Sequence, residues 1–190
     1  LWWINSKKQP VEKMHKRMKP RSENNFLSTG HTPPLRFDFE AAVAQTLHTF
    51  PQLKKTALFA STADNVILNQ DALKYMPQPD IALSQIKADI VEAATHKNSF
   101  ANTATDMVLI TIYTGNDKSP FPAIEKYFSL DHEVAHVVIP QASPPNPYPY
   151  VECVADAYAA IRCLQRFGAD AANAINFLTY KSRDRADQFL

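Results

Sequence analysis

Residues 119–139 read SPFPAIEKYFSLDHEVAHVVI, and this stretch decides the fold. Ser119 can cap a helix, Pro120 takes its first position and Pro140 stops it after Ile139. At about 100° per residue, Ala123, Tyr127, Leu130, Val134 and Val137 gather on the side opposite His132. That side is apolar and predicts a helix laid against a core. The other side carries His132 and His136, one turn apart.

Working outward, the strand that feeds this helix is Met107–Tyr113 (MVLITIY), β-branched and aromatic, and Gly115-Asn116-Asp117 ends it. Further upstream, Pro79 to about His96 reads as a helix with the stripe Leu83, Ile86, Ile90, Ala94. Asp38–Phe50 reads as another, with Phe39, Val43, Leu47 and Phe50 at helical spacing and Pro51 as its stop. Thr56–Ser61 and Asn65–Leu68 are expected as short strands around Thr62-Ala63-Asp64. Downstream, a proline-rich loop (Ser143–Tyr150) leads into a helix over Val151–Phe167, closed by Gly168, and a last helix runs from Ala169 to about Arg185. The expected fold is α+β: a small mixed sheet with an edge strand packed on the His132 helix, followed by a helical C-terminal part. Residues 1–36, basic and proline-punctuated, are expected to form an extended or mobile arm, and 37–190 a single domain.

Composition narrows the function. The chain has 190 residues, net charge +1 and 21% charged residues, so no electrostatic case exists for a nucleic-acid partner. No run of 18 apolar residues is present. With 3 glycines and neither GxGxxG nor GxxxxGK[ST], the nucleotide-binding fingerprints are absent. Leu1-Trp2-Trp3-Ile4 followed by a basic stretch reads as a solvated arm, with a membrane anchor upstream of Leu1 as the other reading. Cys153 and Cys163, on one helix, stand about 15 Å apart along its axis and cannot pair. Two free thiols point to a reducing compartment, the cytoplasm or a host cytosol. Oligomeric state is left open.

The chemistry lies in His132-Glu133-Val134-Ala135-His136. Two histidines at i and i+4 on one face have zinc-ligand spacing. Glu133, about 100° round from His132, lies beside the ligands and can reach a water on the metal. Sixteen residues after His136 comes Glu152-Cys153-Val154-Ala155-Asp156. A zinc catalyst needs three protein ligands and one open position; Glu152 suits the third. Asp156, one turn on, can accept the remaining N–H of a ligand histidine and fix its tautomer. Ala155, Ala159 and Ala160 keep that side of the helix thin. By composition, each motif arises by chance in roughly one such chain in a hundred, so the pair together argues for a built site.

HExxH followed by a helix bearing ExxAD resembles the gluzincin zinc metallopeptidases. The resemblance covers about 25 residues directly and residues 79–167 in architecture. It implies one Zn2+ per chain on His132, His136 and Glu152, Glu133 as general base, Asp156 behind the ligands, and hydrolysis of a peptide or protein substrate. It also implies a substrate-pairing edge strand along the cleft, here Val108, Leu109, Ile110, Thr111 and Ile112. Ile139 and Ala142 exclude the metzincin HExxHxxGxxH pattern. The loop between the motif helices is short, and no downstream signature supplies an oxyanion-stabilising group; Tyr148, Tyr150, Tyr180, Arg183 and His96 are candidates, with Tyr150 preferred because it precedes the Glu152 helix. The competing expectation is a zinc-binding but non-proteolytic regulatory or binding protein on a peptidase-like fold. The two differ in whether the fourth zinc position is open and whether Glu133 is free of other partners.

Overall fold

The computed structural model describes residues 35–103, 107–115 and 119–186, with side chains to residue 178. The arm expected over 1–36 lies outside the described residues apart from Leu35 and Arg36.

Helix α1 (Phe39–Thr49) is started by Asp38, whose carboxylate accepts from the Ala41 N–H at 2.9 Å. A four-residue turn of helix, α2 (Leu53–Thr56), runs into β1 (Ala57–Ser61), and β2 (Val66–Leu68) folds back on it. After a 3₁₀ segment (Gln70–Tyr75), α3 spans Pro79–His96, as its stripe predicts. Then come β3 (Phe100–Asn102), β4 (Val108–Ile112) and α4 (Pro122–Val138). Ser119 spends its hydroxyl on the Phe121 N–H, so α4 begins two residues later than its capping signal suggested. A 3₁₀ turn (Pro140–Ala142), α5 (Tyr150–Phe167) and α6 (Asp170–Ala186) complete the described chain.

The four strands lie in the order β2-β1-β4-β3. β1 and β4 are parallel, with Phe59 opposite Ile110; β2 and β3 flank them antiparallel. The expected α+β class with a small mixed sheet is therefore observed. The edge assignment needs correcting. Val108–Ile112 is not an edge strand: β1 pairs with it on one side and β3 on the other. Its near-continuous apolar run is what a strand covered on both faces requires. On this side of the sheet the edge is β3, too short and too ordinary in composition to stand out in the sequence.

Alternate residues of the central strands point to two separate cores. Phe59, Ile110 and Ile112 meet α1 and α4 through Val43, Leu130 and Val134. Leu58, Ala60 and Leu109 meet α3 through Ala82, Ile86 and Ile90. The apolar back of α4 is thus seated on the sheet: Leu130 and Val134 are fully buried, and Tyr127 and Val137 pack beside them.

Candidate metal centre

Burying the back of α4 turns His132 and His136 toward α5. The two helices close on small residues, since Ala135, Ala155 and Ala159 have no exposed surface. At the far end, Arg166 of α5 reaches back to Asp131, buried just before His132 on α4. Arg166 Nη2 donates to Asp131 Oδ1 at 3.1 Å and Nη1 donates to Oδ2. This fork ties the C-terminal half of α5 to α4.

The two helices bring three donor groups to one point. His132 Nε2 lies 3.1 Å from His136 Nε2 and 3.3 Å from Glu152 Oε2; His136 Nε2 lies 3.5 Å from Glu152 Oε1. The rings stand nearly perpendicular, at 82°. Donor atoms of a tetrahedral ion with bonds of about 2.0–2.1 Å are about 3.3 Å apart. The His132–His136 and His132–Glu152 Oε2 separations bracket that value, His136 faces the other carboxylate oxygen, and the group can hold a metal ion.

The opposite ring nitrogens are both engaged. His132 Nδ1 is 2.8 Å from Asp156 Oδ1, and His136 Nδ1 is 2.6 Å from the Ala142 carbonyl oxygen. Carboxylate and carbonyl oxygens only accept, so each Nδ1 carries the proton. In the neutral rings both Nε2 lone pairs then converge on the Glu152 carboxylate. Three electron pairs aimed at one point need a cation between them, a metal ion or a proton. Burial presses the His132 imidazolium toward deprotonation, but hydrogen bonds to Asp156 and Glu152, with the nearby Glu133 charge, outweigh it and raise the pKa to about 10. Glu152 moves the other way: its hydrogen bond with His132 holds it below the usual carboxylate range despite partial burial.

Glu133 lies beside this group and is buried. Burial raises its carboxyl to about 7, against the pull of His132; the Ala101 N–H of β3 also donates to it. Glu133 thus joins α4 to the sheet edge.

The structure therefore brings His132, His136, Glu152 and Asp156 together and sets Glu133 next to them. It does not bring Tyr150. That residue opens α5 about 200° round the helix from Glu152 and is 51% exposed. Tyr148 and His96 are also exposed, and Tyr180 and Arg183 lie outside the described side chains. Two partners were missed by sequence reasoning, the Ala142 carbonyl and the Ala101 N–H. Both are main-chain groups, and no side-chain pattern announces them. A cleft of about 590 Å³ at the ends of β1 and β4, lined by Arg36, Ser61, Thr114 and Lys126 among others, is separate from the metal group. No protein-family model, curated protein or solved structure matches the chain.

Proposed function

We propose that the chain is a zinc-dependent peptidase of the gluzincin kind, with His132, His136 and Glu152 as the ligands. The observation that carries this reading is the set of three donor separations, 3.1, 3.3 and 3.5 Å, on two histidines whose far nitrogens are already engaged. Two imidazoles and one carboxylate suit zinc, and three ligands leave a fourth position for chemistry. Zinc bound there supplies Lewis acidity, polarising a carbonyl and bringing the pKa of a water toward about 7.

The chain's own residues supply the rest. Asp156 and the Ala142 carbonyl hold the two imidazoles in the tautomer that leaves Nε2 free to bind. Glu133, buried beside the ligands, is placed to take a proton during attack and return it to the leaving amine. An extended peptide would lie along β3, the sheet edge nearest Glu133. No side chain is assigned to the oxyanion.

One observation favours the second reading, a non-proteolytic zinc protein: the Ala101 N–H occupies Glu133, which is buried. Replacing Glu133 with Gln separates the two. The wild type with stoichiometric zinc is expected to cleave members of a random peptide library and to stop when chelated. Glu133→Gln should keep its zinc and lose about 10²–10⁴-fold in rate. Zinc-loaded wild type that cleaves nothing in the library and no protein substrate would favour the second reading. Cleavage by Glu133→Gln at the wild-type rate would remove Glu133 from the chemistry.

A further inference from the structure

Successive residues of a strand send their main-chain N–H and C=O groups to opposite sides. On the β1 side of β4, the Ile112 carbonyl accepts from the Thr62 N–H at 3.1 Å. On the β3 side, the Tyr113 N–H donates to Ser99 Oγ at 3.0 Å. Thr111 and Leu109 therefore also face β3, where the register sets Phe100 and Asn102 opposite them. Ala101 stands opposite Ile110, which faces β1, so the main chain of Ala101 turns away from β4. Of the three residues of β3, Ala101 is the one that offers an N–H and a C=O to the open edge. That N–H is the group that donates to Glu133.

An outward N–H on an edge strand is what a further strand pairs with. A carboxylate oxygen and a peptide carbonyl are both acceptors, and they compete for the single proton that Ala101 has to give. Glu133 is buried on α4, which packs against this end of the sheet, so the carboxylate holds the position before any peptide arrives. We infer that the contact between Glu133 and Ala101 is a latch: a peptide strand that adds to β3 takes the Ala101 N–H, displaces Glu133 and so frees its carboxylate. The inference rests on the peptidase reading above, in which an extended peptide lies along β3 and Glu133 moves the proton. Strand binding and release of the base are then one event, and the base stays tied to the sheet edge while the cleft is empty. The Ala101 C=O points the same way as its N–H. The substrate residue that meets it must supply an N–H, which excludes proline at that position.

The test follows amide hydrogen exchange at single residues by NMR in the full chain. The probe is a mixture of blocked hexapeptides of random sequence, because main-chain pairing tolerates most side chains; hexaproline, with no N–H to give, is the control. Ala101 is expected to exchange slowly in the wild type and roughly 10–100-fold faster in Glu133→Ala. Phe100 and Asn102, which face β4, should stay slow in both. Adding the hexapeptides to Glu133→Ala should restore slow exchange at Ala101, and hexaproline should not. Glu133→Gln keeps an acceptor, so it should hold Ala101 slow and bind the hexapeptides about 2–10-fold more weakly than Glu133→Ala.

Equal exchange at Ala101 in wild type and Glu133→Ala would overturn the latch. So would equal peptide affinity in the two variants, or hexapeptides that leave Ala101 unprotected. Loss of protection at Phe100 and Asn102 in Glu133→Ala would mean that Glu133 holds β3 in the sheet, which also overturns it. None of these readouts needs turnover. Zinc-loaded wild type that cleaves nothing would sink the peptidase reading with the Ala101 exchange pattern intact, whereas cleavage by a wild type whose Ala101 exchanges freely would sink the latch alone.

Discussion

The Nε2 atoms of His132 and His136 face each other at 3.1 Å while their Nδ1 atoms are engaged by Asp156 and by the Ala142 carbonyl. Neighbouring neutral imidazoles in this tautomer have no proton to share at that contact. The helices hold them there because the back of α4 is buried against β4 and because α5 closes on alanines. The arrangement is a product of the fold and defines what each nearby substitution should do.

Asp156→Asn keeps the shape and removes the charge that fixes the His132 ring. Zinc affinity should fall about 10–100-fold with the fold unchanged. Competition against a chromophoric chelator, with circular dichroism as the check on folding, measures this. Unchanged affinity would remove Asp156 from the site.

The pH dependence of the metal-free protein has a definite sign. His132 and Glu133 both have folded-state pKa values raised above their ordinary ones, to about 10 from 6.5 and to about 7 from 4.5. Each therefore adds stability in full below its unfolded pKa and loses it as pH rises through the folded value. Glu133 loses its contribution between about 4.5 and 7, and His132 between about 6.5 and 10. The melting temperature of metal-free protein should fall as pH rises from about 5 to 10. Added zinc should stabilise more at the higher pH, since it competes with the proton on His132. A metal-free melting temperature that climbs across that range would contradict the electrostatic account.

Much of this was legible in the sequence, for identifiable reasons. α3 and α4 have apolar faces long enough to set their period, and the Ala155–Ala159 side of α5 announces a close helix contact. The i, i+4 spacing of His132/His136 and of Glu152/Asp156 survives because it depends on helix geometry alone. What failed depends on pairing over distance. β3 is three residues long, so the stronger β4 signal reads as the edge strand in its place. Tyr150 is close to Glu152 in sequence, but two residues along a helix point to opposite sides. The Ala101 N–H and the Ala142 carbonyl belong to the main chain, which every residue shares.

Asp131 and Arg166 form a buried pair, with the guanidinium also 5.2 Å over the Tyr127 ring. Asp131→Asn leaves Arg166 buried beside a neutral partner and should cost about 3–5 kcal/mol. Asp131→Leu combined with Arg166→Met should recover part of that loss, because Arg162, whose Nε stands 3.9 Å from Asp131 Oδ1, still loses its carboxylate. Urea denaturation of the three proteins checks both expectations. If the double variant were as unstable as Asp131→Asn, the pair would be doing more than neutralising its own charges.

Leu130 is fully buried between α4 and the sheet. Leu130→Ala should destabilise by about 2–5 kcal/mol while keeping stoichiometric metal at temperatures where it stays folded. A small effect on urea denaturation would mean that α4 is not seated on the sheet as described.

The most direct test of the account is metal content and affinity, by equilibrium dialysis and elemental analysis, for wild type, His136→Ala and Glu152→Ala. The account predicts one zinc per wild-type chain and a loss of at least about 100-fold in affinity for each variant, both still folded. Wild-type protein that takes up no zinc, or Glu152→Ala that binds it as tightly as wild type, would contradict it.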